Sequence, residues 1–250
     1  MYSLIIAFSM YSRIPMPQVT WTKERSRYVM CWFPLVGAVL GTLAYFVFFL
    51  LEKVHAGVIF RSAVMTLLPL FYTGGIHMDG YLDTVDAKSS CQSKERKLEI
   101  LKDSHTGAFA VIWGIGMLLF TFGGFSEIGG KEKNVVFLGY VLSRTLSALS
   151  AVTFRGAKKE GTLAAFSTAS QKKVSVCLLS VILLMTTGGM LSIDLLAGGL
   201  AVLAAGLTYI YYRFMSYRIF GGITGDLAGW FLEVCEAAML FAAVVAHWAG

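Results

Sequence analysis

The stretch "AVMTLLPLFYTGGIHMDGYLDTVDA" (Ala63–Ala87) places an uncharged apolar run directly before three aspartates. The apolar part is long enough to belong in a bilayer, whereas charged side chains inside a membrane are costly and usually functional. Asp79, Asp83 and Asp86 therefore need an explanation. The stretch predicts a membrane helix that leads into an acidic face at one membrane surface.

The composition of the whole chain is typical of a membrane protein. Of its 250 residues, 56% are hydrophobic and only 14% are charged, whereas about a quarter of the residues of soluble domains are charged. Lipid offers the backbone no hydrogen-bond partners, so membrane spans are α-helices or closed barrels, and the alternating segments of a barrel are not found. We predict an all-α, polytopic integral membrane protein with a single domain covering residues 1–250.

Seven apolar runs are long enough to be spans, and a shorter one lies at the amino terminus. The segment "MYSLIIAFSMYSRIPMP" (Met1–Pro17) is too short to cross and lacks the features of a signal peptide, which favours an interfacial or re-entrant helix. The predicted spans are about 29–51, 57–76, 108–125, 134–153, 174–193, 195–212 and 231–249.

The distribution of lysine and arginine predicts the orientation. If the amino terminus is cytoplasmic, sixteen of these residues lie on the cytoplasmic side and only Lys53, Lys131 and Lys133 lie opposite. Cytoplasmic loops carry an excess of positive charge, so the amino terminus is predicted inside and the carboxyl terminus outside. The net charge of +6 is then a topology signal, and no nucleic-acid partner is predicted.

The three aspartates are spaced i, i+4, i+7, which puts them on one stripe of a helix. Like charges at this spacing repel, so a divalent cation is the economical compensation, and oxygen ligands favour Mg²⁺, with Mn²⁺ as the second choice. Gly80, inside the cluster, is expected to let a ligand approach the backbone closely. The alternative is that Asp79, Asp83 and Asp86 only mark the end of the lipid-facing region.

Two further segments combine acidic, hydroxyl and glycine residues near a predicted helix start. They are "LKDSHTGAFA" (Leu101–Ala110) and "FGGITGDLAGWFLEVCE" (Phe220–Glu236). Exposed N–H groups and the helix dipole at such a start favour phosphate, although tight turns between spans would also use these residues. Asp226 precedes the last predicted span and Glu233 follows Asp226 by seven residues, a spacing that puts both carboxylates on one helical face. Arg144, in the middle of a span, is expected either to pair with an acid or to hold a phosphate.

At this point the residues match a known family. "GGIHMDGYLDTVDA" (Gly74–Ala87) resembles the signature G-G-[LI]-H-[LM]-D-G-x-x-D-T-x-D-[AG] of cobalamin synthases, the adenosylcobinamide-GDP ribazoletransferases. His105 stands where the family usually has Arg, which puts a strong phosphate contact there in doubt. Four further segments resemble family motifs in the right order: "FSMYSRIPMP" (Phe8–Pro17), "FPLVGAVLG" (Phe33–Gly41), "EILKDSHTGAFAV" (Glu99–Val111) and "GGITGDLAG" (Gly221–Gly229).

The resemblance implies the last assembly step of coenzyme B12. The 5′-hydroxyl of α-ribazole, or of α-ribazole phosphate, would attack adenosylcobinamide-GDP and release GMP, with Mg²⁺, in the bacterial cytoplasmic membrane. A homo-oligomer and other late cobalamin-pathway enzymes are the further partners that it suggests. The expected metal ligands are Asp79, Asp83, Asp86 and Asp226, with Asp103 as an alternative. The expected substrate contacts are Gly80, Lys102, Ser104, His105, Arg144, Thr224 and Gly225, and the expected bases are Asp86, Asp103 and His77.

Two other functions fit part of the pattern. A CDP-alcohol phosphotransferase also uses clustered aspartates, but its D-G-x-x-A-R pattern is missing, since Asp79-Gly80 is followed by "YLDT". A cation-coupled transporter would carry its carboxylates near the middle of broken helices in paired halves, whereas these acids cluster at one membrane face.

Overall fold

The computed structural model describes residues 1–103, 105–157 and 161–249, and these residues form a helical bundle. Within them the only strand-like pairing is an isolated bridge between Gly156 and Ile223. The α-helices are α1 (Tyr2–Tyr11), α2 (Lys23–Ser26), α3 (Val29–Lys53), α4 (Val58–Thr73), α5 (Ile76–Ser89), α6 (Lys94–Ile100), α7 (Ala108–Glu127), α8 (Glu132–Thr153), α9 (Thr162–Ala169), α10 (Lys172–Ile193), α11 (Leu195–Met215) and α12 (Gly225–Ala249).

Six helices among the described residues are long and apolar enough to cross a membrane. They are α3, α7, α8, α10, α12 and α11, the last with its π-helical continuation Ser216–Phe220. The pair α4 and α5 passes the same test only together, bent by 95°, and gives up to seven spans. The all-α polytopic fold with about seven spans is thereby confirmed. Helix α1, with ten residues, is too short to span and packs against α3.

Two consecutive glycines break the helix before the aspartates. Gly74 and Gly75 both adopt left-handed backbone angles, with φ of 69° and 81°, and these favour glycine. The Arg13 side chain lies across Gly74, and the Arg13 N–H donates to the Tyr72 carbonyl at 2.7 Å. The predicted apolar span 57–76 is therefore wrong at its end, because α4 stops at Thr73 and the aspartates form a separate helix.

Helix α12 begins well before the predicted start at residue 231. The Thr224 hydroxyl accepts a hydrogen bond from the Leu227 N–H at 3.2 Å, which satisfies one of the free N–H groups at the start of a helix. Asp226 consequently lies in the first turn of a membrane helix and not in a loop that precedes it.

Helix α8 forms the centre of the bundle, and its apolar window is 83% buried. It packs against α3, α10 and α12. A Cβ atom at Gly37 or Gly41 of α3 would collide with a carbonyl oxygen of α8, so both positions need glycine for this contact. The close packing holds the polar residues of α8 inside the bundle.

Candidate active site

The aspartate helix α5 crosses the start of α12 at two glycines. A Cβ atom at Gly80 would lie 2.7 Å from the Asp226 carbonyl oxygen, and one at Gly229 would lie 2.9 Å from the His77 carbonyl oxygen. The close approach expected at Gly80 is thus made by the backbone of α12, while substrate binding by Gly80 stays a prediction. This crossing brings the acids of α5 beside Asp226.

The four carboxylates form one electrostatic group. Asp83 is half-buried, and the charges of Asp79, Asp226 and Asp86 all act on it. Asp79 is exposed, whereas Asp86 is half-buried against Gly107 at the start of α7, where a Cβ atom would collide with its carboxylate. The helical stripe predicted from the i, i+4, i+7 spacing therefore faces a fourth acid from another helix.

The carboxylates at this crossing suit a hard cation that is bound partly by the protein and partly by a substrate. Among the described residues, no three His, Cys, Asp or Glu side chains converge closely enough to hold a metal ion by themselves. Mg²⁺ commonly takes one or two carboxylates and fills its remaining positions with water and phosphate oxygens. The residues fit a site in which one or two carboxylates, water and phosphate oxygens share the ion. They do not form the shell of three or four aspartates expected from the sequence.

A cavity of about 580 Å³ opens beside the crossing of α5 and α12. Helices α1, α3, α5, α8, α9 and α12 line it. Asp79 and Asp226 contribute carboxylates to its wall, and Thr224 and Ser147 contribute hydroxyl groups. Asp83 and Asp86 are not part of this lining. Of the four acids, only Asp79 and Asp226 therefore face the cavity.

The turn before α12 is held in place by a second segment of chain. The Ile223 N–H donates to the Arg155 carbonyl and the Ala157 N–H donates to the Ile223 carbonyl, both at 2.9 Å. A Cβ atom at Gly222 would collide with this segment. The turn therefore presents the start of α12, with Thr224 and Gly225, to the cavity, and Thr224 also donates to the Asp226 carboxylate at 3.3 Å. A helix start of this kind suits a phosphate.

The predicted contacts before α7 lie in an exposed loop. The Asp103 carboxylate accepts a hydrogen bond from the His105 N–H at 3.0 Å and lies 2.7 Å from His105 Nδ1. These contacts, the backbone N–H first, hold the pKa of Asp103 below its usual value. Lys102 is exposed, and Ser104 lies outside the described residues. None of the described residues of this loop lines the cavity.

Arg144 is buried inside the bundle and paired with an acid. Its guanidinium forms an ion pair with Glu236 and donates to the Ser143 hydroxyl at 3.0 Å. The same hydroxyl donates to Glu236 at 2.8 Å. Arg144 does not line the cavity, so the structure shows acid pairing rather than an approach to phosphate. Glu236 was not among the predicted residues, although an ionisable group within a membrane span is a signal that could have found it.

Tyr11, Phe33 and His77 line one part of the cavity, which we call its aromatic end. His77 is buried, and its ring lies 6.1 Å from that of Tyr11 and 6.0 Å from that of Phe33. His77 was predicted from the sequence, whereas Tyr11, Phe33 and Ser147 were not. Tyr11 and Phe33 lie within the segments "FSMYSRIPMP" and "FPLVGAVLG", and these two segments were the available signal.

Comparison with known proteins agrees with this architecture. The family described as Cobalamin-5-phosphate synthase matches residues 3–244. A relative from Lachnoclostridium phytofermentans, named adenosylcobinamide-GDP ribazoletransferase, is 43% identical over 98% of this chain and 94% of its own length. Proteins of the same name from Clostridium botulinum and Brevibacillus brevis are 32% and 31% identical, over 96% and 99% of this chain and 96% and 100% of their own lengths. No solved structure matches the chain.

A family match that covers nearly all of the chain decides between the functions left open by the sequence. It favours the cobalamin synthase resemblance over a CDP-alcohol phosphotransferase or a transporter. The signature segment that carried the resemblance is the α4–α5 break together with the acidic helix α5. The chain belongs to the Cobalamin-5-phosphate synthase family.

Proposed function

We propose that this chain transfers the cobinamide phosphate of adenosylcobinamide-GDP to the 5′-hydroxyl of α-ribazole or α-ribazole phosphate. A bond forms between the hydroxyl oxygen and the cobinamide-linked phosphorus, and the bond from that phosphorus to the GMP oxygen breaks. The products are GMP and adenosylcobalamin or its 5′-phosphate. The observation that carries the proposal is the acidic crossing of α5 and α12 beside a cavity, in a chain whose relatives bear the ribazoletransferase name.

Mg²⁺ is the cofactor that this site would use. Asp79 and Asp226, supported by Asp83 and Asp86, would hold it, and the ion would neutralise charge on the diphosphate. The Gly225 N–H, at the start of α12 in the cavity lining, would donate to a phosphate oxygen.

The attacking hydroxyl must lose its proton to a group near the cavity. Asp86 and Asp103 were predicted for this role, but Asp86 packs against Gly107 and Asp103 faces His105. Asp79 and Asp226 line the cavity, so one of these two carboxylates would accept the proton. This assignment replaces the two predicted carboxylate bases by two carboxylates that a substrate can reach.

Reconstitution tests the reaction and its metal requirement. Purified protein in detergent, given adenosylcobinamide-GDP, α-ribazole and Mg²⁺, is expected to release one GMP for each adenosylcobalamin formed. Excess EDTA should abolish turnover, because the diphosphate charge is then not neutralised, while the thermal unfolding midpoint stays unchanged. Absence of GMP release under all conditions would overturn the function. Full turnover in EDTA would overturn only the metal requirement.

The lysine and arginine asymmetry supports a place in the bacterial cytoplasmic membrane with the acidic face toward the cytoplasm. A native cysteine reports on this orientation, because Cys91 is exposed between α5 and α6. In a Cys177→Ser background, a membrane-impermeant maleimide should label Cys91 only after the cells are permeabilised.

Val54, which is exposed between α3 and α4, provides the matched control for this experiment. A Val54→Cys, Cys91→Ser, Cys177→Ser variant should be labelled in intact cells. The reverse pattern would contradict the orientation. Homo-oligomerisation and association with other late-pathway enzymes stay predictions.

A further inference from the structure

The side chains at the aromatic end of the cavity are mostly apolar. Tyr11 and Phe33 lie with ring centroids 4.3 Å apart, and His77 stacks near Tyr11 at an interplanar angle of 24°. Met10 and Met30 line the same region. Aromatic rings and methionine sulfur atoms both favour contact with another aromatic ring. This end of the cavity therefore suits a planar aromatic ligand.

One polar atom at this end has no partner within the protein. His77 is only 4% exposed, and its Nε2 atom makes no hydrogen bond to any described residue. Buried polar groups are nearly always hydrogen-bonded, since an unpaired one carries a desolvation cost. His77 lines the cavity, and since Nε2 itself has almost no accessible surface, a turn of the imidazole ring toward the cavity would let a ligand atom complete its hydrogen bonding.

The size of the cavity indicates which of the two substrates can fit into it completely. A volume of about 580 Å³ falls within the range of small-molecule sites. It accommodates a nucleoside, whereas a corrin nucleotide is several times larger. Only part of the corrin substrate can therefore enter beside Asp79 and Asp226, whereas the second substrate can enter completely.

The side chains of the aromatic end indicate which heterocycle could bind there, the guanine of one substrate or the benzimidazole of the other. Of its five side chains, only His77 and Tyr11 carry polar atoms. Guanine presents a donor-rich edge that needs several partners, and unpaired groups on that edge would be costly. A benzimidazole nucleoside has a single free ring nitrogen and otherwise apolar edges. The benzimidazole matches this lining, and guanine does not.

We propose that the aromatic end binds the benzimidazole of α-ribazole, with its free ring nitrogen hydrogen-bonded to His77 Nε2 and its ring against Tyr11 and Phe33. The inference rests on the proposed function. It makes His77 a positioning and specificity residue in place of the base predicted from the sequence. The ribose faces the hydroxyls of Ser147 and Ser167, which line the same cavity. The 5′-hydroxyl is then directed toward Asp79 and Asp226.

Steady-state kinetics of His77→Phe test the proposal, because phenylalanine keeps a ring but removes the nitrogen. The KM for α-ribazole should rise at least about tenfold, as expected when one buried hydrogen bond is lost. The KM for adenosylcobinamide-GDP should stay within about twofold. His77→Gln, which restores a donor, should recover most of the loss. His247→Phe, at the opposite end of α12, should change neither KM.

A ligand change gives the matched second measurement. The indole analogue of α-ribazole, in which the free ring nitrogen is replaced by CH, should bind wild-type protein about tenfold more weakly than α-ribazole, and His77→Phe should bind both equally. Fluorescence quenching measures this binding without the corrin substrate, so the result does not depend on turnover. Equal affinities in the wild-type protein, or a variant that raises only the KM for adenosylcobinamide-GDP, would overturn the proposal. An inactive wild-type protein that still discriminates the analogue would contradict the proposed function alone.

Discussion

Asp79→Asn and Asp226→Asn are each expected to lower turnover at least about 100-fold while the bundle stays folded. Both carboxylates line the cavity, and each change removes a charge but keeps the shape of the side chain. Metal-bridged charge in a phosphoryl-transfer transition state is worth several kcal/mol, and each 1.36 kcal/mol is about tenfold in rate. Asp83→Asn and Asp86→Asn should show losses of turnover of the same order, because the charges of these two acids add to the negative potential at Asp79 and Asp226.

Stability separates catalytic from structural roles for these acids. Since the four carboxylates repel one another, the thermal midpoint without Mg²⁺ should be unchanged or slightly raised in each variant. Glu95→Gln, exposed in the first turn of α6, is the matched control and should leave both quantities unchanged. Unstable variants with near-normal turnover per folded molecule would mean that the aspartates are structural.

Arg144→Met is expected to cost about 3 kcal/mol of stability, because it leaves the half-buried Glu236 carboxylate without its cation. Thermal unfolding in detergent measures the loss. The double variant Arg144→Met, Glu236→Met should recover most of it, since replacing both partners of a buried pair by apolar side chains is often neutral. A stable Arg144→Met protein with a raised KM for adenosylcobinamide-GDP would instead make Arg144 a phosphate contact.

The spans were predictable because their apolar length is a local property of the sequence. The break at Gly74 and Gly75 was not, because their left-handed conformation goes together with the packing of Arg13, which is distant in the sequence. The early start of α12 was missed for a related reason. Asp226 lowers the mean hydropathy of this part of the sequence, so the apolar run begins only after it. The hydrogen bond from the Leu227 N–H to Thr224, which caps the helix, is visible only in the structure.

In the candidate site too, features within one helix were predictable from the sequence, whereas contacts between distant helices were not. The stripe of Asp79, Asp83 and Asp86 follows from helical periodicity alone. The position of Asp226 beside it depends on the crossing at Gly80 and Gly229, which no periodicity predicts. Tyr11 and Phe33 come from two other helices and meet His77 only in the folded bundle. The sequence likewise left open whether Arg144 pairs with an acid, and its ion pair with Glu236 in the folded bundle decides it.

We propose that the acidic crossing of α5 and α12 holds a divalent cation together with the substrate diphosphate. Electron paramagnetic resonance of Mn²⁺ tests this directly, by titrating detergent-purified protein with and without adenosylcobinamide-GDP. We expect the substrate to tighten Mn²⁺ binding to the wild-type protein. Asp79→Asn and Asp226→Asn should each weaken this binding at least about tenfold, whereas Glu95→Gln should not. Mn²⁺ binding of equal strength in all four proteins would contradict a cation site at this crossing.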